Sequence, residues 1–173
     1  MIYLPKKIFF ILMMIFISNA SHSEVINITG IVTSSPCVFD TSNSDTTVFF
    51  DKVYKGQLFE KESYGNEKKI KLIVTNCPAI TNSVTVEFSG PVDNSNTHAY
   101  ANQGTAKNVA VQLKFSDEQW DNSSTYPGGK FLIPVNKSTQ SATFDMLARV
   151  YSKTGNATSG NILTTVNISF TYQ

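Results

Sequence analysis

The chain has 173 residues, a formal net charge of +1 and 16% charged residues. Its lysines and arginines are scattered along the sequence, which excludes the basic stripe that a nucleic-acid-binding surface requires. Beyond an N-terminal export segment about 150 residues remain, which is the length of one domain.

The N-terminus has the pattern of a secretory signal peptide, which we predict to span residues 1–23. Two lysines precede the apolar run "IFFILMMIFIS", and the small and polar residues "NASHS" follow it. The apolar run is shorter than the roughly 20 residues that a membrane span needs, although an uncleaved anchor is the alternative. We expect cleavage after Ala20 or after Ser23, and we favour Ser23 because Ala20 lies very close to the apolar run.

A short strand-like arm follows the signal, and we assign it to residues 24–34. The stretch "EVINITGIV" alternates, so that one set of side chains shares one face: Ile26, Ile28, Gly30 and Val32. Glycine suits the interior of a strand poorly unless another backbone or a bulky group comes close.

The two cysteines, Cys37 and Cys77, both lie in the exported part. Two cysteines in an exported chain are typical of one disulfide. Zinc ligation is the alternative, but it needs about four closely spaced ligands, and only two histidines are present. We therefore predict a disulfide and no metal site.

The segment from residue 35 onward shows the two-residue period of β-strands, separated by turn-rich stretches. Weaker strands are predicted at 46–53 and 130–135. The inward-facing residues of the four clearest strands are Ile70, Leu72 and Val74; Val84, Val86 and Phe88; Val109, Val111, Leu113 and Phe115; and Phe144, Met146, Ala148 and Val150. No segment has a convincing helical stripe, so we predict an all-β sandwich.

The chain ends on "VNISFTYQ", a strand with one apolar face. An uncovered edge of such a strand recruits other chains. Two interpretations follow. Either the arm and this strand pair inside one closed sandwich, or the arm leaves its own domain and covers the corresponding strand of another copy.

Several features together resemble the pilin subunits of chaperone–usher fimbriae of the type 1-like kind, over the whole length. A signal and an arm containing Gly30 precede "GIVTSSPCVFD" around the first cysteine, and the second cysteine ends "IKLIVTNCP". The most specific feature is at the end, where Gly160 is the fourteenth residue from the C-terminus and Tyr172 is the penultimate residue.

The resemblance implies an incomplete immunoglobulin-like β-sandwich that lacks its final strand and a pilin domain over residues 35–173. A periplasmic fimbrial chaperone would insert a strand into the resulting groove. At the outer-membrane usher, the arm of the next subunit would replace that strand, a form of β-augmentation. The implied partners also include other subunits on both sides, and the implied location is a fimbria at the cell surface.

The resemblance also implies residue roles. In the arm, Gly30 would be the position where a side chain collides with the receiving groove, and the donor side chains would be Ile26, Ile28 and Val32. The groove wall of this subunit would be lined by Val166, Ile168, Phe170 and Tyr172. Basic residues of the chaperone would hold the carboxylate of Gln173. Glu24 departs from the family, which more often has an apolar or small residue there.

No catalytic constellation is present, since the sequence contains no G-x-S-x-G, no calcium-loop pattern and no Cys–His pair with a third orienting group. We therefore predict neither an enzyme nor a cofactor.

Trp120 and Tyr126 lie in a polar loop, where they serve either as loop anchors, which we favour, or as a sugar platform. The alternative to a fimbrial subunit is a closed, secreted β-sandwich that binds carbohydrate or a host surface. Modest alanine and glycine content and the short arm favour a minor or adapter subunit over a major shaft subunit.

Overall fold

The computed structural model describes residues 36–123 and 125–173, and the predicted signal and arm lie outside them. The described part is composed of β-strands and two single-turn 3₁₀ helices, Lys55–Leu58 and Trp120–Asn122. The strands are β1 (Val38–Phe39), β2 (Ser63–Tyr64), β3 (Lys68–Thr75), β4 (Ser83–Ser89), β5 (Tyr100–Ala101), β6 (Ala110–Phe115), β7 (Lys130–Pro134), β8 (Ala142–Ser152) and β9 (Asn167–Tyr172). In these two ranges no helix is long and apolar enough to span a membrane.

The strands form two antiparallel sheets. The first has the order β1-β3-β8-β6-β5, with β2 paired to the end of β8. The second has the order β7-β4-β9. Because sequence neighbours such as β3 and β4 lie in different sheets, the chain crosses repeatedly between the layers and encloses the core between them.

The core is built from the alternating faces that the sequence predicts. The predicted inward positions of β3, β4, β6 and β8 are buried, and most of them form one cluster together with Tyr100 and both cysteines. Val109 and Val150 belong to a second, smaller cluster with Leu58, Ala106 and Ala157. The predicted all-β sandwich is therefore confirmed, as is the weak strand at β7.

The other weak prediction, a strand over residues 46–53, is wrong in this structure. The side chains of Val48 and Phe50 do turn inward onto the core, while Phe49 between them is 81% exposed. The alternation is therefore present without a strand. A strand also requires a backbone partner, and alternation alone does not supply one.

The outer face of the first sheet carries a covered arginine. Arg149 is 7% exposed, and its guanidinium lies between the rings of Tyr64 and Trp120, 4.2 Å and 4.0 Å from their centroids. Its Nε donates a hydrogen bond to Oε1 of Gln112 at 2.9 Å. Trp120 is held in turn by a hydrogen bond from its Nε1 to Oε1 of Glu67 at 2.8 Å. Trp120 is therefore an anchor that fastens its loop over the sheet.

Replacing Arg149 by lysine should loosen this anchor. Lysine keeps the charge but lacks the planar guanidinium that stacks on two rings, so we expect a loss of about 1–2 kcal/mol in the free energy of unfolding. Trp120 is the single tryptophan of the chain, so its fluorescence should shift to longer wavelength. Lys71→Arg, at an exposed position of β3, is the control and should change neither the fluorescence nor the urea midpoint.

Tyr100 is the largest fully buried side chain, and its hydroxyl donates a 2.6 Å hydrogen bond to the backbone oxygen of Thr125. Burial raises the pKa of this phenol above its ordinary value, because the phenolate would lose its hydration. The folded protein therefore keeps Tyr100 neutral at pH values where an unfolded chain ionises it.

The consequence is a specific alkaline instability. Below about pH 10 the neutral Tyr100 contributes fully to the free energy of unfolding. Above that pH the free energy of unfolding falls by about 1.4 kcal/mol per pH unit, because the unfolded state releases a proton that the folded state retains. Tyr100→Phe should reduce this slope, measured by urea unfolding between pH 9 and about pH 11. Phe49→Leu, at an exposed aromatic residue without an ionisable group, is the control and should leave the slope unchanged; equal slopes for both variants would contradict the assignment.

Candidate functional site

β9 is hydrogen-bonded on one side. It pairs antiparallel with β4 from Asn167 opposite Ser89 to Tyr172 opposite Val84. Among the described residues, no strand pairs with its other edge. An edge strand of this kind presents a row of backbone N–H and C=O groups to which another strand can bind.

The inner face of β9 is apolar but incompletely covered. Exposed and half-buried residues alternate along the strand, and the half-buried ones pack against the core. We call this set the inner row; it consists of Val166, Ile168, Phe170 and Tyr172. The ring of Phe170 lies 5.7 Å from Phe39 and 5.6 Å from Phe144, centroid to centroid. Partial burial desolvates the phenol of Tyr172 and raises its pKa above the ordinary value.

A second segment borders the same part of the core. Residues 44–51 run beside β3, where Asp45 N–H donates to the backbone oxygen of Lys71 at 2.8 Å and Ser44 Oγ accepts from Ile73 N–H at 2.9 Å. From this segment Val48 and Phe50 reach the core and stay half-buried. We call these two segments, residues 44–51 and β9, whose inward side chains stay half-buried on the same core cluster, the open side of the sandwich.

Gly160 fixes the approach to β9 through a close backbone contact. A Cβ at this position would lie 2.4 Å from the backbone nitrogen of Ala106 and 2.7 Å from the carbonyl carbon of Thr105. Real Cβ atoms do not approach backbone atoms so closely, so only glycine lets the two loops touch here. The sequence singled out Gly160 by its distance from the C-terminus; the structure places it in a loop before β9, and its predicted role in the groove stays a prediction.

The side-chain amide of Asn102 holds the same two loops together through both of its polar atoms. Its Oδ1 accepts from the backbone N–H groups of Gly104 at 3.0 Å and Leu163 at 2.8 Å. Its Nδ2 donates to the backbone oxygens of Ala106 at 2.8 Å and Asn161 at 3.2 Å. The sequence predicts only a loop at Asn102, because asparagine is common in turns and its distant partners leave no local signal.

The end of β9 is also fixed. The backbone oxygen of Gln173 accepts hydrogen bonds from the N–H groups of Asn82 at 2.6 Å and Ser83 at 3.1 Å, and Gln173 N–H donates to Ser83 at 3.0 Å. These contacts extend the β4–β9 ladder to the last residue. The predicted contact of this residue with a chaperone stays a prediction.

Cys37 and Cys77 form a disulfide, as the sequence predicts, and both residues are buried. The bond joins the start of β1 to the end of β3 across 40 residues of sequence. In the chain-entropy model, closing a loop of this length with a disulfide stabilises the fold by about 4 kcal/mol.

The predicted donor residues Ile26, Ile28, Gly30 and Val32 lie outside the described residues, and their role stays a prediction.

Replacing Gly160 by alanine tests how the start of β9 is held. The added methyl group must push the loops apart, so we expect a loss of about 1–3 kcal/mol in unfolding free energy. Backbone hydrogen exchange of Asn167–Tyr172 should also become faster, because the strand loses its anchor. Gly56→Ala is the matched control, because a Cβ at Gly56 meets no atom within 4 Å. Similar effects of the two substitutions would show that the contact has no special role.

The chain is similar to several known proteins. Protein FimG of Escherichia coli K12 is 35% identical over 147 residues, covering 85% of this chain and 83% of FimG. The uncharacterized fimbrial-like protein YdeR of the same strain is 30% identical over 148 residues, covering 86% of this chain and 84% of YdeR. Among solved structures, the P pilus rod subunit PapA superposes with a TM-score of 0.60 at 16% identity, covering 86% of this chain and all of PapA. No protein-family model matches the chain.

The two-sheet architecture and the strand paired on one side define an immunoglobulin-like domain of the pilin type. The chain belongs to the family of fimbrial subunits. It is a subunit of a bacterial fimbria and is exported to the cell surface as part of that fibre.

Proposed function

We propose that this fimbrial subunit is assembled by strand complementation at the open side of its sandwich. A strand of a periplasmic chaperone first pairs with β9. At the outer-membrane usher, the arm of the next subunit replaces the chaperone strand. The observation that carries the proposal is the combination of an outer β9 edge with no strand partner among the described residues and a half-buried apolar inner row.

The energetics support a strand as the occupant. An added strand would satisfy the backbone groups of the β9 edge and place every second side chain against the inner row. A strand of about nine residues with about three or four buried branched side chains removes several hundred Å² of apolar surface from water. At about 25 cal/mol per Å² the gross gain is of order 10 kcal/mol, which is an upper bound.

The sequence supplies a segment of the matching kind. Residues 24–34 alternate, with Ile26, Ile28 and Val32 on one face and Gly30 among them. We assign this arm to donation into the groove of a neighbouring subunit, and residues 1–23 to the export signal. The same chain then gives a strand on one side and receives one on the other, as a fibre requires. The modest alanine and glycine content and the short arm favour a minor or adapter subunit.

Receiving and giving a strand are tested separately with two variants and one control. Ile168→Asp places a carboxylate in the inner row, so binding of the chaperone encoded with this subunit should weaken by at least about 100-fold, because an unpaired buried charge is costly. Ser169→Asp, at the neighbouring exposed residue, is the control and should bind normally. Binding is measured by co-purification and by titration of the chaperone.

Deletion of residues 24–32 should leave chaperone binding intact but prevent the subunit from occupying the groove of its neighbour in a reconstituted fibre. Two observations together would contradict this expectation: the variant without residues 24–32 folds poorly, and the intact chain stays a monomer when no chaperone is present. That result would favour a closed binding module in which the arm completes its own sandwich.

A further inference from the structure

One polar group interrupts the apolar wall of the open side. The Oγ1 atom of Thr164 is buried and has no hydrogen-bond partner, the one such side-chain atom found in the described residues. Native proteins rarely leave a buried hydroxyl without a partner, so a group of this kind calls for an explanation.

Thr164 lies in line with the inner row. From residue 161 to residue 173 the odd-numbered residues are exposed and the even-numbered ones are half-buried. Ile162 and Val166, two positions before and after Thr164, both pack against the core. Thr164 therefore faces the same way as the inner row and extends it by one position on the N-terminal side of β9.

Backbone groups close to Thr164 in the chain bond to another loop. On the same segment, Leu163 N–H donates to Asn102 and the Leu163 backbone oxygen accepts from Gln103 at 2.7 Å. Asn161 uses its N–H on the hydroxyl of Thr105. The loop contacts thus fix the backbone around Thr164 and leave its hydroxyl without a bond.

We propose that Thr164 is a specificity-determining residue, which selects an incoming strand that presents a hydroxyl or amide side chain at the facing position. This inference rests on the proposed function and deepens it. Thr164 is half-buried, and a rotation of about 120° around its Cα–Cβ bond moves the hydroxyl to the staggered position that the methyl group held, while the methyl group moves to the position of the hydrogen. A donor side chain with a hydrogen-bonding group then satisfies the hydroxyl, whereas an apolar one leaves it unsatisfied.

The selection differs from that made by the rest of the wall. Valine and isoleucine fill an apolar site almost interchangeably, so the inner row discriminates weakly between alternating apolar arms. A site built to hydrogen-bond a partner rejects an isosteric apolar group more strongly, because its own polar atom stays unpaired. Thr164 would thus help to determine which subunit follows this one in the fibre.

The test is a double-mutant cycle between the subunit and arm peptides. The complex of the full-length mature subunit with its chaperone is titrated with synthetic arm peptides of the subunits encoded beside it, including its own residues 24–33. The peptide that displaces the chaperone best is remade with threonine and with valine at each groove-facing position in turn. Each pair is measured on the wild type, on Thr164→Val and on Thr171→Val, where Thr171 is an exposed residue of β9.

At one groove-facing position of the peptide, the ratio of the affinities of the threonine and valine peptides should be about three- to tenfold greater on the wild type than on Thr164→Val. Thr171→Val should behave as the wild type. Preferences that agree within about twofold on the wild type and on Thr164→Val at every position would overturn this inference while leaving strand complementation intact. Failure of every arm peptide to displace the chaperone would overturn the proposed function and this inference together.

Discussion

The pairing of β9 on one side only is the constraint on which the rest of this structure depends. A β-strand is stable when its backbone groups are hydrogen-bonded and its apolar face is covered. For β9, the strand β4 bonds the backbone groups of one edge, and the core covers part of the apolar face. The inner row is half-buried, so the sandwich has a core whose coverage stays partial among the described residues. The proposed partners follow from this deficit, because a strand supplies both missing elements at once.

The edge is open but its position is well determined. At its start, Gly160 and Asn102 hold the chain against the loop around Ala106, and at its end Gln173 is bonded to the start of β4. An incoming strand therefore meets a template whose register is already set. Less conformational entropy is lost on binding to such a template than to a flexible one.

Three further contacts hold the first sheet and its loops. The disulfide joins the ends of β1 and β3, and the Arg149 stack fastens a loop over the outer face of the first sheet. Tyr100 closes the core beneath the neighbouring loop. None of these interactions uses the backbone edge of β9 that has no strand partner among the described residues.

The sequence by itself determined the sandwich, the disulfide and the alternation of β9, because a two-residue period and a pair of exported cysteines are local signals that need no knowledge of contacts. Only the tertiary structure decided what those elements touch. It placed Asn102 against residues about 60 positions away, covered Arg149 with rings, left the Thr164 hydroxyl without a partner and formed no strand at residues 46–53. Each of these outcomes depends on groups that are distant in the chain, and the sequence pattern around any one residue carries no record of them.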